Sequence, residues 1–162
     1  MPRVYLSIGS NIDREKNISS ALWEIRELFG NLTLSSVYET DAVGFEGPPF
    51  YNMTVRFESD QPVQEIAKTL REIETRHGRN HKCVKFSGRT LDLDILLYGD
   101  LVISDGKLQI PRDDIIRYAF VLEPLAEIAP AQHHPVTHES FSELWDKFDK
   151  TGLRQKIVDP HW

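Results

Sequence analysis

Asp92 and Asp94 stand two residues apart in the run Arg89-Thr90-Leu91-Asp92-Leu93-Asp94-Ile95, which reads as a strand. Residues two apart on a strand share a face, so the two carboxylates project together about 7 Å apart. Left alone they repel each other, and a divalent cation neutralises both. Magnesium prefers hard oxygen ligands and is usually held by one or two carboxylates, with water and substrate phosphates completing its shell. Just upstream stand Arg71, Arg76, Arg79, Lys82, Lys85 and Arg89, with His77 and His81 among them and only Glu72 and Glu74 opposing. Cations beside a carboxylate pair are the parts needed to grip a polyphosphate and its metal. Each part alone has a plainer explanation: an amphipathic strand with a wet face, and a solvated helix end and loop. Ile95-Leu96-Leu97 weighs against the first, because the strand continues without alternation, as a strand covered on both faces does.

A second cluster lies between Thr40 and Asn52. Gly44, Gly47, Pro48 and Pro49 make a loop able to offer backbone groups to a flat heterocycle. Phe50 is placed to stack on such a ring, and Asn52 carries a donor and an acceptor for its edge, although a cross-strand polar contact explains an Asn equally well. Gly9-Ser10-Asn11, between a strand and a helix, reads as a helix-capping turn. No G-x-x-x-x-G-K-[ST] loop is present, so phosphates would have to be held by side chains and metal. His133, His134 and His138, flanked by prolines, read as a surface turn and not a metal site, and Cys83 as an idle loop thiol.

The elements that must position these residues follow from periodicity. A strand over Val4–Ile8 leads to a helix with Ile18, Leu22, Ile25 and Leu28/Phe29 on one face, closed by Gly30-Asn31. A strand runs from Leu32 through Tyr38, and a half-buried one alternates over Tyr51, Met53, Val55 and Phe57. Pro62 opens a second helix with Val63, Ile66, Leu70 and Ile73 inward. The fourth strand spans Leu91–Tyr98, with Leu101–Ile103 expected to pair back on it as a hairpin, and helices are expected near 119–128 and 140–149. The order β-α-β-β-α-β predicts an α+β, ferredoxin-like sandwich with extra C-terminal helices and a short hairpin. At 162 residues, a single domain over 1–162 is the expectation. One cysteine excludes an internal disulfide, and no run approaches the roughly 20 apolar residues of a membrane span. The net charge of −6 speaks against a nucleic-acid partner, and a cytoplasmic monomer that binds small molecules, with no membrane partner, is the expectation.

Several segments together resemble one family, the 6-hydroxymethyl-7,8-dihydropterin pyrophosphokinases of folate synthesis. They are VYLSIGSN (4–11), SVYETDAVG (36–44), Phe50-Tyr51-Asn52, Glu74 with His77-Gly78-Arg79, GRTLDLDILLYG (88–99) and AFVLEPLAEIAP (119–130), in the family's order. The resemblance implies transfer of pyrophosphate from ATP to the pterin hydroxymethyl group, releasing AMP. It implies two Mg²⁺ ions on Asp92 and Asp94, with Arg79, Lys85 and Arg89 at phosphate-binding or loop-closing positions. Glu74 and Ile95 would lie by the adenine, with His81, Arg112 and Tyr118 also along the ATP. Thr40, Asp41, Val43 and Asn52 would contact the pterin, sandwiched between Phe50 and Phe120. From its charge and its Gly78 and Gly88 flanks, the loop over 76–89 is expected to close on the phosphates. The chain departs from the family's pattern at Lys85 (usually Arg), Phe86 (Trp), Gly88 (Pro), Arg112 (His) and Tyr118 (Arg, with Arg117 one place earlier), changes that bear on rate and phosphate handling. The competing expectations are a divergent pterin- or nucleotide-binding module with weak or no transferase activity and, less well matched, a nucleotidyl transferase.

Overall fold

The computed structural model describes residues 1–42, 46–78, 89–160 and 162. Val43, Arg79, His81 and Lys85, with Cys83, Phe86, Gly88 and most of the expected closing loop, lie outside the described residues.

Four long elements set the frame: β1 (Arg3–Ser10), α1 (Arg14–Phe29), β4 (Phe50–Glu58) and α2 (Val63–Arg76). Between α1 and β4 run β2 (Thr33–Leu34) and β3 (Val37–Thr40), and β5 (Asp92–Tyr98) follows α2. The main sheet has the order β5-β1-β4-β3-β8, with β2 also on β4. Its first four strands give the expected ferredoxin-like core, all antiparallel.

Alternation divides the residues between two faces. Val4, Leu6 and Ile8 of β1, Met53, Val55 and Phe57 of β4, and Leu93 and Ile95 of β5 meet Ile18, Ile25, Ile66, Leu70 and Ile73 of α1 and α2 in one apolar core. Phe29 stacks on Phe57 there, centroids 4.3 Å apart. The other face packs Tyr5, Leu96 and Leu97 against α3 (Asp114–Arg117), α4 (Ala119–Ile128) and α5 (Phe141–Asp146). Among the described residues, no helix is long and apolar enough to cross a membrane.

Several boundaries differ from those expected. The run 32–38 splits into β2 and β3 at Ser35, whose N–H donates to the Thr54 carbonyl while its Oγ accepts from the Thr54 N–H, both at 2.9 Å. The side chain thus stands in for a ladder partner and the strand bends. Leu101 does not begin a strand; its N–H donates to the Tyr98 carbonyl in a turn. The hairpin forms instead between β6 (Ile103–Asp105) and β7 (Leu108–Ile110), because Gly106 at φ 61° permits a two-residue loop. The last helix is shorter than 140–149. Ser140 caps α5, its Oγ accepting from the Glu143 N–H at 3.1 Å, and the helix ends at Asp146. The edge strand β8 (Lys156–Val158), too short to carry a period, was not anticipated.

Candidate active site

The sheet register sets the geometry of the site. Asp92 of β5 pairs with Gly9 of β1, Gly9 with Asn52 of β4, and Asn52 with Tyr38 of β3. One row therefore runs across four strands, with Asp92 and Asn52 two strands, or about 10 Å, apart and a glycine between them. The next row holds Asp94, Ser7 and Thr54. Both aspartates point away from Leu93 and Ile95, onto the α4 side of the sheet.

Asn52 is buried and its Nδ2 donates to Thr40 Oγ1 at 2.6 Å, which fixes the direction of its Oδ1. A Cβ at Gly9 would sit 2.8 Å from that oxygen and 3.8 Å from Phe50 Cδ1. The missing side chain lets the amide and the half-buried Phe50 ring lie over the strand. Asp41 is exposed at the rim. Phe120, at the start of α4, stacks on Tyr118 at 5.0 Å. The helix carrying it is tied to β3 by Glu127: Tyr38 Oη donates to Glu127 Oε1 at 2.6 Å, and the Ser36 N–H to Oε2 at 2.8 Å. Burial, and then the neighbouring Glu127 carboxylate, push the Tyr38 phenol well above its ordinary pKa.

The expectation that Gly9-Ser10-Asn11 caps α1 is not met, because that helix begins only at Arg14. The segment instead clasps the chain entering β5. Asn11 N–H donates to the Arg89 carbonyl (3.0 Å), the Arg89 N–H to Asn11 Oδ1 (2.7 Å), and Ser10 Oγ to the Thr90 carbonyl (2.7 Å). Asn11 Nδ2 and Arg14 hold the other loop through the carbonyls of Pro48 and Pro49. The signal for this role was the polar triplet at the end of a buried strand, too short to separate a cap from a clasp.

Around the carboxylate pair, burial and then Asp92 push the Asp94 carboxyl up to about 7, against the pull of Arg112. Burial opposes the charge on Arg112, yet Asp94 and Asp114 outweigh it and hold the guanidinium above its ordinary pKa. Among the described residues no group of three or more His, Cys, Asp or Glu side chains could enclose a metal. Two carboxylates under mutual repulsion suit a cation that takes its remaining ligands from water and phosphate. At the outer edge of β5, Glu74 is buried and its Oε2 accepts the Leu93 N–H at 2.8 Å. The Ile95 side chain lies in the α1/α2 core, on the opposite face from the aspartates. Only the Ile95 backbone, two residues beyond Leu93 and turned out of the same edge, can meet a ligand there.

Of the three histidines, His133 and His138 are exposed, as a surface turn predicts, whereas His134 turns inward. His134 is buried and its Nδ1 accepts from the N–H groups of Val136 and Thr137 at 3.1 and 3.2 Å, closing a turn. Burial holds its pKa below the ordinary value.

Residues 5–130 match the family of 7,8-dihydro-6-hydroxymethylpterin-pyrophosphokinases. This chain belongs to that family. It is 34% identical to the 2-amino-4-hydroxy-6-hydroxymethyldihydropteridine pyrophosphokinase of Aquifex aeolicus over 89% of this chain and 91% of that one. It is 37% identical to the protein of the same name from Porphyromonas gingivalis, over 82% and 95%. A third relative, the folic acid synthesis protein fol1 of Schizosaccharomyces pombe, is 34% identical over 93% of this chain, which spans only 21% of that protein. Among solved structures, Plasmodium falciparum HPPK-DHPS with pterin and p-hydroxybenzoate superposes with a TM-score of 0.72 at 15% identity, over 96% of this chain and 46% of that one. At that identity the likeness speaks for the fold of this pyrophosphokinase.

Proposed function

We propose that this pyrophosphokinase works on the row Asp92–Gly9–Asn52, moving pyrophosphate from ATP to the hydroxymethyl oxygen of 6-hydroxymethyl-7,8-dihydropterin with release of AMP, as one domain over residues 1–162. The observation that carries the reading is the bare glycine between a carboxylate pair and a fixed amide. It leaves a floor about 10 Å long on which two substrates can meet end to end. Asn52, oriented by Thr40, reads the pterin edge, and Phe50 and Phe120 hold the ring, with Asp41 at the rim. Asp92 and Asp94 hold Mg²⁺, which when bound supplies charge neutralisation to the triphosphate. Arg89 and Arg112 grip phosphate oxygens, and in this reading Arg79, His81 and Lys85 act with them. Glu74 and the Ile95 backbone border the adenine along the outer edge of β5, with Tyr118 near Phe120. No side chain has to form a covalent bond; the residues bring the hydroxyl in line with the β-phosphorus and stabilise the charge that spreads onto its oxygens.

The test is AMP release from ATP with and without the dihydropterin, in Mg²⁺ and in excess chelator. AMP formed only when pterin and metal are both present supports the reading. A folded protein that binds the pterin but forms no AMP would return it to a binding module.

A further inference from the structure

Arg112 is tied to the site at its backbone and at both ends of its guanidinium. Its N–H donates to the Leu96 carbonyl at 3.1 Å, docking it on β5 two residues beyond Asp94. Nε donates to Asp114 Oδ2 at 3.2 Å, while Nη2 lies 3.6 Å from Asp94 Oδ1. The first is a hydrogen bond; the second is longer than one and holds by charge alone. Asp114 is itself set close by, because the Ile115 N–H next to it donates to the Arg112 carbonyl at 3.2 Å. The three side chains are each about one-third exposed (33%, 31% and 30%), so a ligand can reach the fork.

Resting on the reading of Asp92 and Asp94 as a metal pair, we propose that Arg112 is the built-in counter-cation of Asp94, displaced toward the triphosphate when a divalent ion arrives, and that Asp114 is the positioning residue on which it pivots. A guanidinium and a divalent ion on one carboxylate oxygen repel each other, so the two compete for Asp94. The looser arm is the one that must leave. The Nε bond to Asp114 can persist while Nη1 and Nη2 turn outward, where a planar fork suits phosphate oxygens. The site thus keeps a cation beside Asp94 before the metal binds, and converts it into a phosphate ligand afterwards.

The experiment is Mn²⁺ titration of the nucleotide-free chain, followed by the EPR signal of the free ion, with Arg112→Gln, Asp114→Asn and the double variant. Arg112→Gln is expected to bind Mn²⁺ about tenfold more tightly than wild type while its affinity for an Mn²⁺·ATP analogue falls. Asp114→Asn is expected to weaken Mn²⁺ binding several-fold in the wild-type background, and by clearly less in the Arg112→Gln background, because it acts through Arg112. Arg112→Lys keeps the charge without the fork; it is expected to bind Mn²⁺ like wild type and the analogue weakly. Mn²⁺ affinity unchanged in a folded Arg112→Gln protein overturns the counter-cation role alone. An Asp114→Asn effect of equal size in both backgrounds overturns the pivot. Wild type that binds no Mn²⁺ even with the ATP analogue overturns the metal pair, and this proposal with it.

Discussion

The two faces of the central sheet are made by the same strands and do opposite things. Toward α1 and α2, Val4, Leu6, Ile8, Met53, Val55, Phe57, Leu93 and Ile95 close an apolar core with almost no exposed surface. Toward α4, the alternate residues at one end are Asp92, Asp94, Ser7, Asn52, Thr54 and Thr40. There burial, and then the neighbouring Asp92, take from Asp94 its usual acidity. On β5 alone, Leu93 and Ile95 stabilise the fold while Asp94, one step away, works against it. A strand can therefore carry stability and chemistry at once, provided each face has its own neighbours.

The largest effect expected from this division is on the polar face. Asp94→Asn should lower the rate of AMP formation by about 10³-fold, measured in single-turnover assays, without loss of folded protein. Its stability should follow a definite sign. The Asp94 pKa is raised in the fold, so wild type loses stability as pH rises from about 4 to about 7, and the Asn variant should not share that loss. Parallel denaturant curves for the two proteins across that range would break the comparison. Phe57→Ala, on the other face, should cost about 3–5 kcal/mol of stability and leave kcat/KM of the remaining folded enzyme near wild type. A large loss of kcat/KM per folded molecule would show the faces to be coupled.

Gly9→Ala should sharpen the comparison between the carboxylate and amide ends of the row. A rise of about tenfold or more in the KM for pterin, with the KM for ATP little moved, is expected because the new methyl displaces Asn52 and not Asp92. Smaller still, Mg²⁺ binding to the nucleotide-free chain at pH 7 should release a fraction of one proton from Asp94. Calorimetry in two buffers of different ionisation enthalpy reads that fraction, and it should shrink to nothing by pH 9.

The sequence made the carboxylate pair, the β-α-β-β-α-β order and the inward faces of α1 and α2 legible, because each rests on a period of two or about 3.6 residues. It hid what depends on contacts between distant segments. Asp114 looks like any acidic residue at the start of a helix until the Arg112 guanidinium is seen turned onto it. Tyr38 and Glu127 lie far apart in the chain yet tie β3 to α4. Ser10 and Asn11 looked local because a cap and a clasp use the same residue types. Ile95 shows the reverse: the resemblance implies a place by the adenine, while alternation puts its side chain in the core and leaves only its backbone outside.

Gly9 has a genetic consequence. Every missense change in a glycine codon adds a Cβ, and here that atom would fall 2.8 Å from Asn52 Oδ1. On the proposed reading of Asn52, a population under pressure from an inhibitor seated there could not escape by altering Gly9 without also evicting the pterin. Resistance would have to arise elsewhere, at the exposed rim around Asp41 or on α4.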